Sequence, residues 1–224
     1  MLAGLAAALL ALAFAAAATG ADQKPGGKVG EEPAFELMGS DCEATGSNFA
    51  NTVIQHDIFN SGFWIRAPFN GVVSEWTVQL AYEPPQPIPL VLGVANQIGE
   101  TNNIEIKSQS APGRVDKGSN VFQSRLQIFK GELIALSSVG EGTIPYCETN
   151  HPAYNNIWNA GKSSKVGETL NFYLSTGYAP VKAKVEEDRD RDGFGDVTQD
   201  RCPRNAKRHK RPCRPPVGDQ RPGR

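Results

Sequence analysis

Alternation of apolar and polar side chains between Val72 and Glu83 is the feature of this 224-residue sequence that most constrains its fold. Val72, Ser74, Trp76, Val78, Leu80 and Tyr82 share one face of that segment. A period of two is typical of strands that bury one face and expose the other to water, as in antiparallel sheets. The same alternation recurs in four further segments, which contain Ile104 and Ile106, Phe122, Leu126 and Ile128, Leu170, Phe172 and Leu174, and Val181, Ala183 and Val185.

Turn signals separate these segments. Proline and glycine concentrate at residues 84–87, 111–113 and 140–142, where a central strand could not continue. The 3.6-residue period of a helix is not prominent anywhere between the strands. We therefore predict an all-β protein in which residues 35–186 form one antiparallel β-sandwich of jelly-roll type.

The beginning of the chain predicts export. Residues 1–21 carry no charge and consist almost wholly of alanine, leucine and phenylalanine, with small residues near the end of the run. This pattern indicates a signal peptide that is removed, although a retained membrane anchor is the alternative. Residues 22–34 predict a flexible leader. The mature protein would then be extracellular or at the cell surface, with no transmembrane anchor after cleavage.

Four cysteines agree with an oxidising compartment. Cys42, Cys147, Cys202 and Cys213 are even in number, and none forms a CxxC pair or a zinc-like spacing. Four cysteines allow three disulfide patterns. Because Cys202 and Cys213 share one short segment, local pairing is favoured, and Cys42 would then pair with Cys147.

An acidic cluster follows the last strand, in the segment DRDRDGFGDVTQDRCP. Asp188, Asp190 and Asp192 alternate, Gly193 permits a sharp turn, and two further aspartates follow. Hard cations take six to eight oxygen ligands, which alternating carboxylates in a bent loop can supply. The segment therefore predicts a calcium site that stays loose until metal neutralises it. A solvated acidic linker is the alternative interpretation.

Two known calcium motifs compare differently with this segment. An EF-hand loop that begins at Asp188 would need a carboxylate at position 199, where the chain has Gln199. The pattern DxDxDGxxDxxxDxCP instead resembles the thrombospondin type 3 repeat, here over residues 187–203. That resemblance implies calcium ligands from side chains and one carbonyl, and a disulfide at the cysteine. The implied ligands are Asp188, Asp190, Asp192, Asp196, Asp200 and the carbonyl of Phe194.

The layout of the whole chain also resembles a group of secreted actinobacterial proteins. Their shared arrangement is a signal peptide, a β-sandwich and a DGFGDxTQDxCP segment, followed by a short tail. This resemblance implies an architecture and gives no reaction.

Aromatic side chains suggest a second kind of ligand. Trp64 lies in a predicted strand, whereas Tyr154 and Trp158 lie in an asparagine-rich stretch near Cys147. Flat rings among amides are typical of sugar-binding platforms, because rings stack on sugar faces and amides bind hydroxyls. Packing of these rings onto the end of the sandwich is the competing interpretation.

The end of the chain is strongly basic. Residues 201–224 contain nine Lys or Arg residues, one acidic residue and five prolines. We predict a basic, proline-rich tail over 204–224 that is extended or disordered beyond Cys213 and attaches to a cell-wall or other extracellular polyanion, with a merely solvated tail as the alternative. No motif indicates specific nucleic-acid recognition, and no complete catalytic motif is present. The expected function is therefore a secreted, non-enzymatic calcium-binding surface or matrix protein with an adhesive or structural role. A carbohydrate-binding module is the alternative.

Overall fold

The structure is a computed structural model that describes residues 35–46, 48–57, 63–140, 142–147, 156–210 and 213. These residues form strands and no helix, which confirms the all-β prediction. The strands are β1 (Phe35–Gly39), β2 (Asn48–Ala50), β3 (Thr52–Asp57), β4 (Gly71–Leu80), β5 (Ile88–Gln97), β6 (Asn103–Gln109), β7 (Gly113–Val115), β8 (Gly118–Ile128), β9 (Leu133–Ser138), β10 (Ile144–Tyr146), β11 (Asn156–Ala160), β12 (Thr169–Asn171), β13 (Tyr173–Thr176) and β14 (Val181–Glu187).

The larger sheet is nearly closed on itself. Its order is β12-β6-β5-β9-β3-β11-β13, with β7 also paired to β5, and every pairing is antiparallel. The two outer strands, β12 and β13, are separated in the chain only by Phe172, so one stretch of backbone joins both ends of the sheet. The Phe172 N–H donates to the Asn102 carbonyl at 2.9 Å. The result is a barrel-like sheet, and the predicted jelly-roll-like sandwich is not confirmed.

A second sheet, of order β1-β14-β4-β8, packs on the outside of the barrel, and β10 pairs with β2 in a small third sheet. The described residues therefore form two apolar cores. One fills the barrel and contains Ile54, Ile106 and Phe172. The other lies between the sheets and contains Trp76, the core residue expected from the alternation, together with Leu92. Strands β5 and β9 contribute to both cores and are buried on both faces.

Two details of the predicted alternation are wrong. The pairing of β4 with β14 shifts register at Ser74, so Val73 rather than Val72 joins the core between the sheets. Val72 lies opposite Glu186, on the face that the acidic segment covers. Leu174 is 55% exposed, because the chain leaves the barrel interior after Phe172 and β13 pairs on the far side with β11.

Both predicted disulfides are formed, Cys42–Cys147 and Cys202–Cys213, and disulfides are typical of extracellular proteins. The first connects the segment after β1 to the residue after β10, beside the core between the sheets. The predicted signal peptide (1–21) and leader (22–34) lie outside the described residues. Within the described ranges, no helix has the length and apolar character needed to cross a membrane.

Candidate metal centre

The acidic loop, defined here as residues 188–200, begins directly after β14 and folds back onto the four-stranded sheet. The Asp196 N–H donates to the Glu187 carbonyl at 2.9 Å, and Gln199 Nε2 donates to the Ser124 carbonyl at 2.8 Å. Gly193 has a φ of +82°, a conformation that glycine adopts without strain. The loop is thus seated on β8 and β14. Its loosening without metal stays a prediction.

Glu186 anchors the second half of the acidic loop. Its side chain is fully buried, and Oε2 accepts hydrogen bonds from the backbone N–H groups of Thr198 (2.8 Å) and Val197 (3.2 Å). Oε1 accepts from the hydroxyls of Ser74 (2.8 Å) and Thr198 (2.7 Å) and lies 3.2 Å from Lys184 Nζ. Burial alone would raise the pKa of Glu186, but these donors outweigh it and hold the pKa below its ordinary value.

Three carboxylates gather in the first half of the acidic loop. Asp188, Asp190 and Asp192 each offer an oxygen, and these atoms lie within 4.8 Å of one another. Asp188 accepts hydrogen bonds from the N–H groups of Asp192 (3.1 Å) and Gly193 (3.0 Å), and Asp192 Oδ1 accepts from Phe194 N–H (2.9 Å). These local bonds curl the backbone around the carboxylates. The cluster could hold a metal ion.

Several carboxylate oxygens of the loop are buried without a partner. Among the described residues, no hydrogen bond reaches either oxygen of Asp190, Oδ2 of Asp192 or Oδ2 of Asp200. Asp200 is only 4% exposed. Burying a polar atom without a partner costs about 1–3 kcal/mol, and more for a charged group. A cation is the kind of ligand that would satisfy several such oxygens together.

The pKa values of these aspartates also reflect the lack of a counter-charge. Burial raises the pKa of Asp190 and of Asp192, and the negative charges of neighbouring carboxylates, Asp200 among them, add to the rise. The backbone N–H groups of Asn205 and Asp192 lie near Asp190 and oppose the rise, but neither forms a hydrogen bond of good geometry with it. Gathering these groups without a counter-charge therefore disfavours their ionised form.

Asp196 and Phe194 differ from the other predicted ligands. Both oxygens of Asp196 accept from the backbone N–H of Arg189, at 3.4 and 3.3 Å, and Arg189 Nε lies 3.7 Å away. Burial raises the pKa of Asp196 to about 7, although Arg189 opposes the shift. The ring of Phe194 stacks on His209 with centroids 4.1 Å apart and lies under the Arg125 guanidinium. The role of the Phe194 carbonyl as a ligand stays a prediction.

The far end of the loop is tied to the basic segment. Asp200 Oδ1 accepts from the Cys202 N–H at 2.7 Å, and Cys202 is bonded to Cys213. Residues 203–210 form turns, with Arg208 N–H donating to the Asn205 carbonyl at 2.8 Å. The disulfide and the stack of His209 on Phe194 thus hold the first part of the basic tail to the acidic loop. The part beyond Cys213, which the sequence predicts to be extended or disordered, lies outside the described residues.

Of the three aromatic residues proposed for sugar binding, the two that the structure describes, Trp64 and Trp158, do not form an exposed platform. Trp158 is 3% exposed and belongs to the barrel core. Trp64 packs on the core between the sheets, and its Nε1 donates to Glu36 Oε2 at 3.3 Å. Tyr154 lies outside the described residues. In the described part of the chain, the packing interpretation accounts for both tryptophans.

Glu186 is the site residue that sequence reasoning missed. Its only signal in the sequence is that it belongs to an acidic run at the end of a predicted strand. The alternation in that strand does not single it out. Its partners Ser74 and Thr198 lie far away in the sequence, and the register shift at Ser74 that turns this hydroxyl toward Glu186 leaves no pattern of its own.

Fold and site together define an all-β, disulfide-linked protein. Its candidate cation site lies on the four-stranded sheet that flanks the barrel. Comparison of the chain with protein-family models, with curated proteins and with solved structures finds no significant match. The resemblance to a thrombospondin type 3 repeat therefore depends on the motif alone and stays a hypothesis.

Proposed function

We propose that this chain is a secreted, non-enzymatic calcium-binding protein of the cell surface or extracellular matrix, with a structural or adhesive role. The observation that carries the proposal is the set of buried carboxylate oxygens without partners on Asp190, Asp192 and Asp200. A cation bound there would replace repulsion among carboxylates with attraction, and it would satisfy atoms that the described residues leave unsatisfied.

The donor set favours calcium over other common metals. Every candidate ligand is an oxygen, and oxygen-only sites suit hard cations. The nearby Cys202 is held in a disulfide and offers no thiolate. Calcium accepts six to eight ligands in irregular geometry, whereas magnesium demands a near-ideal octahedron that a loop of this kind does not impose. The thrombospondin-like motif points to the same ion.

The position of the site supports a structural role. Asp188 directly follows β14, whereas Asp200 directly precedes the disulfide-bonded segment. A cation held between them would tie the end of the β domain to the basic segment. Calcium would thereby control how that segment is presented outside the cell, where calcium is abundant and disulfides persist.

Calorimetric titration of the full chain with calcium and, separately, with magnesium tests this proposal. We expect calcium to bind with a dissociation constant of about 10⁻⁴–10⁻³ M, as in extracellular modules, and magnesium to bind more weakly. Asp190→Asn with Asp192→Asn should abolish calcium binding. Asp41→Asn, an exposed aspartate outside the acidic loop, is the matched control and should bind as the wild type does. Absence of calcium binding at millimolar concentration would overturn the proposal.

A further inference from the structure

A cleft beside the acidic loop offers a binding site that the proposed function does not use. Its volume is about 500 Å³, and it lies between β6 of the barrel and β8 of the flanking sheet. Lys107 and Ser108 line it from β6, Arg125 from β8, and Phe129 from the segment that follows β8. Asp192 and Gly193 of the acidic loop also line it, so the candidate metal centre borders the cleft.

A β-bulge directs Ser108 toward this cleft. Val94 pairs with Ser108 but Ala95 pairs with Ile106, so Lys107 is an extra residue in β6. Ile106 and Ala95 belong to the barrel core, whereas Val94 belongs to the core between the sheets, the side on which the cleft opens. The Ser108 hydroxyl is buried and has no hydrogen-bond partner among the described residues. This unsatisfied hydroxyl therefore belongs to a residue in the wall of the cleft.

The rest of the lining combines an exposed ring with cationic groups. Phe129 is 54% exposed, and an exposed ring can stack on the apolar face of a sugar. Arg125 is exposed, and its guanidinium lies over the ring of Phe194. Lys107 Nζ lies 3.4 Å from the carboxylate of Glu105, a residue that does not line the cleft. Guanidinium and ammonium groups are the usual partners of carboxylates.

The charge of the cleft depends on the metal. Lys107 and Arg125 are balanced by Asp192 and Glu132, and Glu132 already accepts the Phe129 N–H at 2.7 Å. A dication held by Asp192 and its neighbouring aspartates would offset part of the negative charge on this side of the cleft and so reduce repulsion of an anionic ligand. Calcium takes six to eight oxygen ligands, waters among them, so a ligand carboxylate can replace water on the ion.

We propose that the cleft between β6 and β8 binds an acidic sugar residue, whose ring packs on Phe129 and whose carboxylate meets the cation at Asp192 with support from Lys107 and Arg125. The inference rests on the proposed calcium function and adds a ligand class to the same site. It also assigns carbohydrate recognition to the exposed ring of Phe129, whereas the sequence suggested Trp158, which is buried.

Calorimetry with a trimer of a uronic acid tests the proposal on the full chain. Calcium binding is measured first, and the trimer is then titrated into protein in calcium and into protein in chelator. We expect binding in calcium, at least a tenfold loss in chelator, and no binding of the uncharged trimer of the parent sugar. Phe129→Ala and Lys107→Gln should each weaken trimer binding about tenfold while calcium still binds.

Matched controls lie on exposed positions elsewhere. Tyr173→Ala removes an exposed ring on β13, and Arg114→Gln removes an exposed cation on β7, and both should bind the trimer as the wild type does. If calcium binds but the trimer does not, or if Phe129→Ala binds it unchanged, the cleft proposal is wrong and the calcium proposal stands. Trimer binding that persists in chelator would overturn the shared cation. If calcium itself does not bind, the proposed function fails first.

Discussion

The barrel and the acidic loop differ in the kind of group that each of them buries. Inside the barrel, side chains such as Ile106, Leu133 and Phe172 are fully or almost fully buried among other apolar groups. In the acidic loop, the buried atoms are carboxylates, and those of Asp190 lack any hydrogen-bond partner among the described residues. Burial of apolar area stabilises the barrel whatever ions are present. Under the proposed function, the first half of the loop instead depends on a counter-charge.

This difference separates the apolar contacts that stabilise the fold from the carboxylates that a cation could bind. Under the proposed function, the barrel supplies a platform on which the acidic loop changes with calcium without unfolding the rest. Glu186 marks the boundary between the two regions, because it belongs to β14 but its carboxylate holds the loop. Four measurements sharpen or break the comparison.

The largest effect is expected where the barrel closes. Phe172→Ala should lower the free energy of unfolding by about 3–5 kcal/mol, because the ring is 1% exposed and its removal leaves a cavity in the barrel core. Leu174→Ala, two residues further on at a side chain that is 55% exposed, should change it by less than about 0.5 kcal/mol. Denaturant unfolding followed by fluorescence measures both. Equal effects would mean that the barrel is not closed at Phe172.

The two disulfides should differ almost as much. Replacing Cys42 and Cys147 by serine should lower the free energy of global unfolding by about 2–5 kcal/mol, because this bridge spans 105 residues and adjoins the core. Replacing Cys202 and Cys213, 11 residues apart, should leave the denaturant midpoint nearly unchanged and loosen only the acidic loop and the basic segment. A global loss in the second variant would show that the two regions unfold as one unit.

The alternating strands could be predicted from sequence, and the continuously apolar ones could not. In β4, Trp76, Val78 and Leu80 alternate with half-buried residues, as expected for a strand with one face in a core. The segments β5 and β9 are buried on both faces, so Leu90 to Ala95 reads as an unbroken apolar run without a period. These two strands contribute both to the barrel core and to the core between the sheets, a position that the alternating pattern does not detect.

The acidic site was predictable to the extent that its residues are neighbours in the chain. Asp188, Asp190 and Asp192 form their cluster within five residues, and the motif encodes that directly. The contact of Glu186 with Ser74 joins positions 112 residues apart and depends on a register shift, which no local pattern encodes. The place of Ser108 in the cleft lining could not be predicted for the same reason, because it depends on a bulge in β6.

A smaller effect is expected at the boundary residue. Glu186→Gln should destabilise the turn at 195–199 by about 1–3 kcal/mol, because the amide cannot accept on both sides and loses the ion pair with Lys184. Hydrogen exchange at the amides of Val197 and Thr198 measures this loss. Glu168→Gln, which removes a surface ion pair with Lys162, is the matched control and should cost less than about 1 kcal/mol. Unchanged exchange at both amides would show that Glu186 does not anchor the turn.

The smallest effect is that of calcium itself. A calcium concentration tenfold above the dissociation constant stabilises a single site by about 1–1.5 kcal/mol. Thermal unfolding of the barrel should therefore shift little, and the change should appear in the loop. The amides of Asp192, Gly193 and Phe194 donate to the aspartates that a cation would hold, so we expect their exchange to slow about tenfold.

The amides of Val197 and Thr198 supply an internal reference for that measurement. They donate to Glu186 and should be protected equally with and without calcium, because their acceptor is held by Ser74 and Lys184 and not by the metal. Replacing Asp190 and Asp192 by alanine should remove the calcium-dependent protection and leave that of Thr198 intact. If calcium slows all five amides equally, the two halves of the loop order together, and the division of roles between the cation and Glu186 is wrong.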